Sequence, residues 1–137
     1  MSGIDPVEPF WGSPTSKANF CETSYAISRY IAEFVNGLTS IIYVIYGIYG
    51  LLRLTPRRSR VLPYWSFIAV GICSFVLHVY LKHQTQMMDD LSMHLTTMPV
   101  LHRVLTANSD RQYSVIMGIV LGAILCLLVT IHVLTDD

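Results

Sequence analysis

Two stretches of the chain, residues 61–81 and 113–134, contain no Asp, Glu, Lys or Arg. Each is about 20 residues long, the length of helix that crosses the hydrocarbon core of a bilayer. This constrains the fold more than any other feature, because a backbone inside lipid must satisfy its own hydrogen bonds, as a helix does. The composition agrees: of 137 residues, 53% are hydrophobic and 13% charged, and mean hydropathy is +0.50. A water-covered surface is hard to build from such a chain. Nine Lys and Arg balance nine Asp and Glu, so no basic excess points to nucleic acid and no acidic excess to disorder. Three cysteines, Cys21, Cys73 and Cys126, are too few and odd in number for a disulfide scaffold.

Residues 31–52 form a third apolar stretch with one carboxylate, Glu33, near its start, where water is close and a charge costs less. Residues 87–105 are apolar at Leu91, Met93, Leu95, Met98, Val100 and Leu101 but interrupted by Asp89, Asp90, His94, His102 and Arg103. Such a segment inserts poorly alone. The polar links 82–86 and 108–112 bracket it, so it crosses most simply with its polar residues facing other helices. The expected fold is therefore an all-α integral membrane bundle of four transmembrane helices, at about 31–52, 61–81, 87–105 and 113–134. Residues 1–30 form a tail before a transmembrane domain of residues 31–137. The tail is polar and bears Pro6, Pro9 and Pro14, unlike a cleaved signal peptide with an early apolar core.

Positive residues in short loops stay on the cytoplasmic side. Arg53, Arg57, Arg58 and Arg60 occupy the first loop and Arg103 and Arg111 the third, against Lys17, Arg29 and Lys82 on the other face. The N-terminal tail is thus expected in a lumen or outside the cell. Tyr64 and Trp65 follow the arginine loop, where rings favour the headgroup layer, although core packing accounts for them equally. Gly37, Gly47, Gly50, Gly118 and Gly122 can let helices approach closely, and Gly118 with Gly122 forms a small-xxx-small pair suited to internal packing or to a dimer face.

Three polar sets fall on the predicted lumenal side. Ser74 and His78 lie four residues apart, on one helical face. A helix-end histidine alone is more often structural. Asp89 and Asp90 open the third span; acids suit a helix N-terminus, yet at membrane depth each carboxylate costs roughly 2.5–3.5 kcal/mol and calls for a partner or a function. Ser74, His78 and Asp89 together suit a metal-assisted hydrolase. Imidazole binds zinc, zinc lowers the pKa of its water, a carboxylate takes the proton, and a hydroxyl steadies the oxyanion. Catalytic zinc takes three protein ligands, of which His78 alone has a clear place. The third set is the run Asn19-Phe20-Cys21-Glu22-Thr23-Ser24-Tyr25, followed by Glu33. Its oxygens suit a hard cation such as calcium, or else a turn capping a helix that begins near Ser28.

Phe10-Trp11-Gly12-Ser13-Pro14-Thr15-Ser16, Phe20-Cys21-Glu22 and Tyr30-Ile31-Ala32-Glu33-Phe34-Val35-Asn36 resemble the N-terminal signature of the alkaline ceramidases. Ser74-Phe75-Val76-Leu77-His78 and Met88-Asp89-Asp90-Leu91 resemble that family's later motifs, in the same order and spacing. The resemblance implies a membrane hydrolase of linear amide bonds, with seven spans at full length, that cleaves ceramide or phytoceramide to a sphingoid base and a fatty acid. It implies zinc at His78, an oxyanion-side serine at Ser74 and an acid/base carboxylate at Asp89. It implies calcium at the side chains of Asn19, Glu22, Ser24 and Glu33 and the carbonyl of Phe20. The family usually carries Asp, Trp and Asn where this chain has Asn19, Phe20 and Ser24, and the lost negative ligand weakens the calcium site. Its other two zinc ligands come from a His-x-x-x-His pair in the last span, which His83, His94, His102 and His132 do not match. The expectation is a ceramidase-like chain truncated relative to the family, inactive alone, in endoplasmic reticulum or Golgi membranes. The alternative is a noncatalytic protein that binds sphingolipid or associates with a full-length homologue.

Overall fold

The computed structural model describes residues 8–18, 20–53 and 58–135. All regular structure among them is helical: α1 (Phe34–Arg53), α2 (Arg58–Tyr80), α3 (His83–Leu105) and α4 (Arg111–Thr135). Three stretches are long and apolar enough to cross a membrane, Phe34–Arg53, Val61–Tyr80 and Arg111–Thr135. α3 has the length but carries the acids and histidines that mark it as the weakest span. The chain divides into two compact units, Met1–Ser92 and Met93–Asp137.

In the first unit α1 packs on α2 across glycines. A Cβ on Gly47 would come 2.5 Å from Ile68 and 2.7 Å from the Tyr64 carbonyl oxygen, and one on Gly50 would overlap the Tyr64 ring. From the other side, a Cβ on Gly71 would sit 2.9 Å from the Val44 amide nitrogen and 3.0 Å from the Ser40 carbonyl oxygen. Lipid tails are as apolar as leucine, so helices in a bilayer associate through such close backbone approach.

α1 begins at Phe34, three residues beyond the sequence expectation, because its cap comes from far along the chain. The Glu22 carboxylate accepts from the Val35 and Asn36 amides at 2.8 and 3.0 Å. These first-turn donors have no partner inside the helix, and an anion beside them also suits the helix dipole. Ser28 forms the expected turn, accepting from the Tyr30 amide at 3.2 Å, but no helix starts there. α3 begins at His83, earlier than expected, leaving only Leu81 and Lys82 between α2 and α3. Thr85 closes its first turn by accepting from the Lys82 amide at 3.2 Å. Leu81 makes the reversal with φ of 46°, a left-handed conformation unusual for leucine, and is held there by burial at 3% exposure.

Residues 8–18 and 20–33 are irregular and lie against the α2 end. The Glu33 amide donates to the His78 carbonyl at 2.9 Å and the Ala32 amide to Val79 at 3.2 Å, satisfying carbonyls that a helix C-terminus leaves unpaired. The Thr15 and Ser16 amides donate to the Leu81 carbonyl at 2.9 and 3.0 Å. Gln86 Oε1 accepts from the Lys17 and Ala18 amides at 2.8 and 3.2 Å, and Lys82 Nζ donates to the Ser13 carbonyl at 2.7 Å. Tyr25, Ala32, Leu77 and Leu81 form a small core beneath this segment, with Phe20 packed against it.

In the second unit the polar residues of α3 meet α4. His102 Nε2 donates to the Ser114 carbonyl at 3.0 Å, and the His94 and His132 rings stand edge to face at 6.3 Å. Asp110 caps α4, its Oδ1 accepting from the Tyr113 amide at 3.0 Å. Gly118 stands beside His102, whereas Gly122 opens onto free space.

Candidate functional site

Glu33, the residue just before α1, and Asn36 and Ser40 within it, at spacings of three and four, line up as one polar stripe. That stripe meets the Ser74 and His78 face of α2. Glu33 Oε2 lies 2.8 Å from His78 Nδ1, with both residues buried. Asn36 Nδ2 donates to the same oxygen at 2.8 Å. Against a carboxylate, Nδ1 carries the proton of a neutral imidazole, which leaves the Nε2 lone pair free for a ligand or a proton. Such a pairing orients metal-binding histidines in general. The Phe20 ring closes the other side of His78, edge to face at 4.9 Å between centroids.

One turn earlier on α2, Ser74 meets α1 directly. Ser40 Oγ is 3.1 Å from Ser74 Oγ and 2.8 Å from the Asn36 carbonyl oxygen. A hydroxyl has one proton, so Ser40 donates to one of these at a time. When it donates to Ser74, the Ser74 proton is free for another acceptor.

Asp89 enters from α3. It is 7% exposed, and its Oδ1 is buried with no hydrogen-bond partner among the described residues. Its carboxylate lies within electrostatic reach of His78 and of Asp90. A buried carboxylate oxygen without a donor is costly, which marks Asp89 as a candidate functional group of the cluster. Ser74 and His78 share one face of α2, and Asp89 of α3 lies within electrostatic reach of His78.

The proposed calcium residues are placed differently from one another. Asn19 lies outside the described residues. Glu22 caps α1, Glu33 holds His78, Phe20 contributes its ring beside His78, and Ser24 is half-buried. Among the described residues, no group of three or more His, Cys, Asp or Glu gathers as a metal site. Asn19 and the hydroxyl and carbonyl oxygens of the calcium motif are not among those residue types, and His78 Nε2 has the chemistry of a zinc ligand. Asn36 was read in the sequence only as the end of a motif and Ser40 was not singled out, so neither was expected at the site. Their signal was present as polar residues three and seven positions after Glu33 in an otherwise apolar span.

The ceramidase family model matches residues 12–137. A putative alkaline ceramidase of Dictyostelium discoideum is 32% identical over 131 residues, covering 82% of this chain and 46% of that protein. Alkaline ceramidase 3 of Mus musculus is 31% identical over 87 residues, covering 61% of this chain and 33% of the relative. An alkaline ceramidase of Saccharomyces cerevisiae is 33% identical over 86 residues, covering 61% and 27%. The chain spans less than half the length of these curated relatives. The match takes in both the tail against α2 and the helices that carry Ser74, His78 and Asp89, and on that ground the chain belongs to the ceramidase family.

Proposed function

We propose that this chain carries part of the active centre of an alkaline ceramidase, hydrolysing the amide bond of ceramide or phytoceramide to a sphingoid base and a fatty acid. The observation that supports this best is the buried Glu33–His78 pair, with Ser74 one turn away and Asp89 facing in from α3. In this reading a water attacks the amide carbonyl carbon while the Asp89 carboxylate takes its proton. The Ser74 hydroxyl donates to the oxygen on which negative charge develops. Asp89 then returns the proton to the amide nitrogen as the carbon–nitrogen bond breaks, releasing the amine and the acid.

Zinc would polarise the carbonyl and activate the water. His78 is the single zinc donor proposed here, against the three protein ligands typical of a catalytic site, so no step is assigned to the metal. Calcium at Asn19, Glu22, Ser24, Glu33 and the Phe20 carbonyl is proposed from the motif alone. The arginine-rich first loop supports a lumenal tail, with endoplasmic reticulum or Golgi as the compartment proposed from the family.

The test is ceramide binding and fatty-acid release by the purified chain in nanodiscs. Saturable ceramide binding, with release no higher than in empty discs, is the expected result. Release abolished by His78→Ala and by chelation would overturn the expected inactivity of the chain alone, and failure to bind ceramide would overturn the substrate. Binding without turnover, together with crosslinking to a full-length homologue in native membranes, would favour the noncatalytic reading. The lack of a three-donor group among the described residues is the observation on its side.

A further inference from the structure

The tail carries an aromatic cluster outside the site described above. Phe10 and Trp11 pack edge to face at 4.8 Å, Phe10 and Tyr30 lie at 5.0 Å, and Trp11 packs on Tyr80 at 4.9 Å. Backbone bonds lock the arrangement: the Phe10 amide donates to the Arg29 carbonyl at 3.0 Å, and Trp11 Nε1 donates to the Tyr30 carbonyl at 2.9 Å. The Arg29 guanidinium lies 5.4 Å from the Phe10 ring centre and 5.5 Å from that of Tyr30. Despite this internal order the cluster faces outward, with Phe10 50%, Tyr30 51% and the nearby Ile27 64% exposed.

What the cluster meets follows from where it is attached. Tyr80 is the last residue of α2 and of an apolar membrane-length stretch. A helix rises 1.5 Å per residue, so a ring stacked on its terminal residue lies within a few ångströms of the depth at which the span leaves the hydrocarbon. That depth is the headgroup layer, which favours Trp and Tyr because their rings are apolar and their polar atoms need partners. Arg29 adds a cation with an apolar stem, suited to lipid phosphate above buried rings.

We propose that Phe10, Trp11, Tyr30 and Tyr80, with Arg29, form an interfacial platform that seats the N-terminal segment in the phospholipid headgroup layer at the end of α2. The segment that supplies Phe20 and Glu22 to the α1–α2 site is then held from two sides, by α2 and by the bilayer surface. This depends on α2 spanning the membrane and not on the reaction assigned to the site.

The chain has two tryptophans, so Trp65→Phe leaves Trp11 as the sole reporter. Trp65 is 58% exposed, which makes that change mild, and circular dichroism against the unaltered chain verifies the fold. In phosphatidylcholine nanodiscs, Trp11 emission should be blue-shifted, screened from aqueous iodide, and quenched more by a spin label near the headgroup than by one deep in the acyl chain. Replacing Arg29 and Phe10 (Arg29→Gln with Phe10→Ser) should shift emission to the red and restore iodide quenching. Solvent-like emission with free iodide quenching and no lipid quenching would overturn the platform. Iodide screening without lipid quenching would overturn it equally, in favour of protein cover. Should Trp65→Phe fail to fold, Trp65→Tyr carries the same measurement.

Discussion

At the scale of single residues, the two glutamates of the N-terminal region divide the tasks between them. Glu22 takes over the capping of α1, which leaves the Glu33 carboxylate free to hold His78 and Asn36. Tyr25 is a less settled residue: it is 3% exposed, its φ is 59°, and its hydroxyl has no partner among the described residues. Burial pushes that hydroxyl above the ordinary tyrosine range, since the phenolate loses its water. The fold therefore favours the protonated form. Its contribution is intact below the unfolded value of about 10 and is lost as pH rises through the higher folded value. Tyr25→Phe removes an unpaired buried oxygen and the titration together. It should stabilise the protein by about 1 kcal/mol and move the midpoint of alkaline unfolding upward. Melting curves across pH measure both, and a lowered midpoint would mean that Tyr25 has a partner in solution.

At the scale of elements, the α1–α2 crossing and the α1 cap make separate demands. Gly50 faces the Tyr64 ring with no room for a Cβ, so Gly50→Ala must shift a ring held between helices. Overpacking of this kind costs about 1–3 kcal/mol, and the variant should melt lower. Gly122→Ala is the internal control, because its Cβ would meet nothing within 4 Å. Glu22→Ala removes the acceptor of two first-turn amides and should cost about 1 kcal/mol, with faster hydrogen exchange at Val35 and Asn36. Unchanged exchange there would show that another group caps α1. In the sequence Gly47 and Gly50 were readable as sites of close approach, but Gly71 and the partners of all three were not. The cap was unreadable because it bridges 13 residues of irregular chain, whereas local capping signals lie within three or four.

At the scale of the whole molecule, the tail and the helix ends stabilise each other. Glu33 is the link: its amide holds the His78 carbonyl, its carboxylate holds the His78 ring, and it is 2% exposed. Glu33→Ala would leave His78 and Asn36 without that acceptor, and a buried donor left unsatisfied costs about 1–3 kcal/mol. We expect a lower melting temperature and faster proteolysis of the tail; a melting curve unaltered from wild type would count against the link. The sequence by itself determined the all-α class, the membrane-length helices and their order. Those follow from charge-free length and periodicity, which are local properties. It also marked Ser74, His78 and Asp89, because polar groups in apolar spans stand out one by one. Only the tertiary structure decided that Glu33 faces His78, that Ser40 reaches Ser74, and that Glu22 serves a helix far along the chain. The first two are contacts made at hydrogen-bond range where α1 crosses α2, at a closeness that depends on glycines, and the third joins irregular chain to a helix end; spacing along one chain does not encode which faces meet.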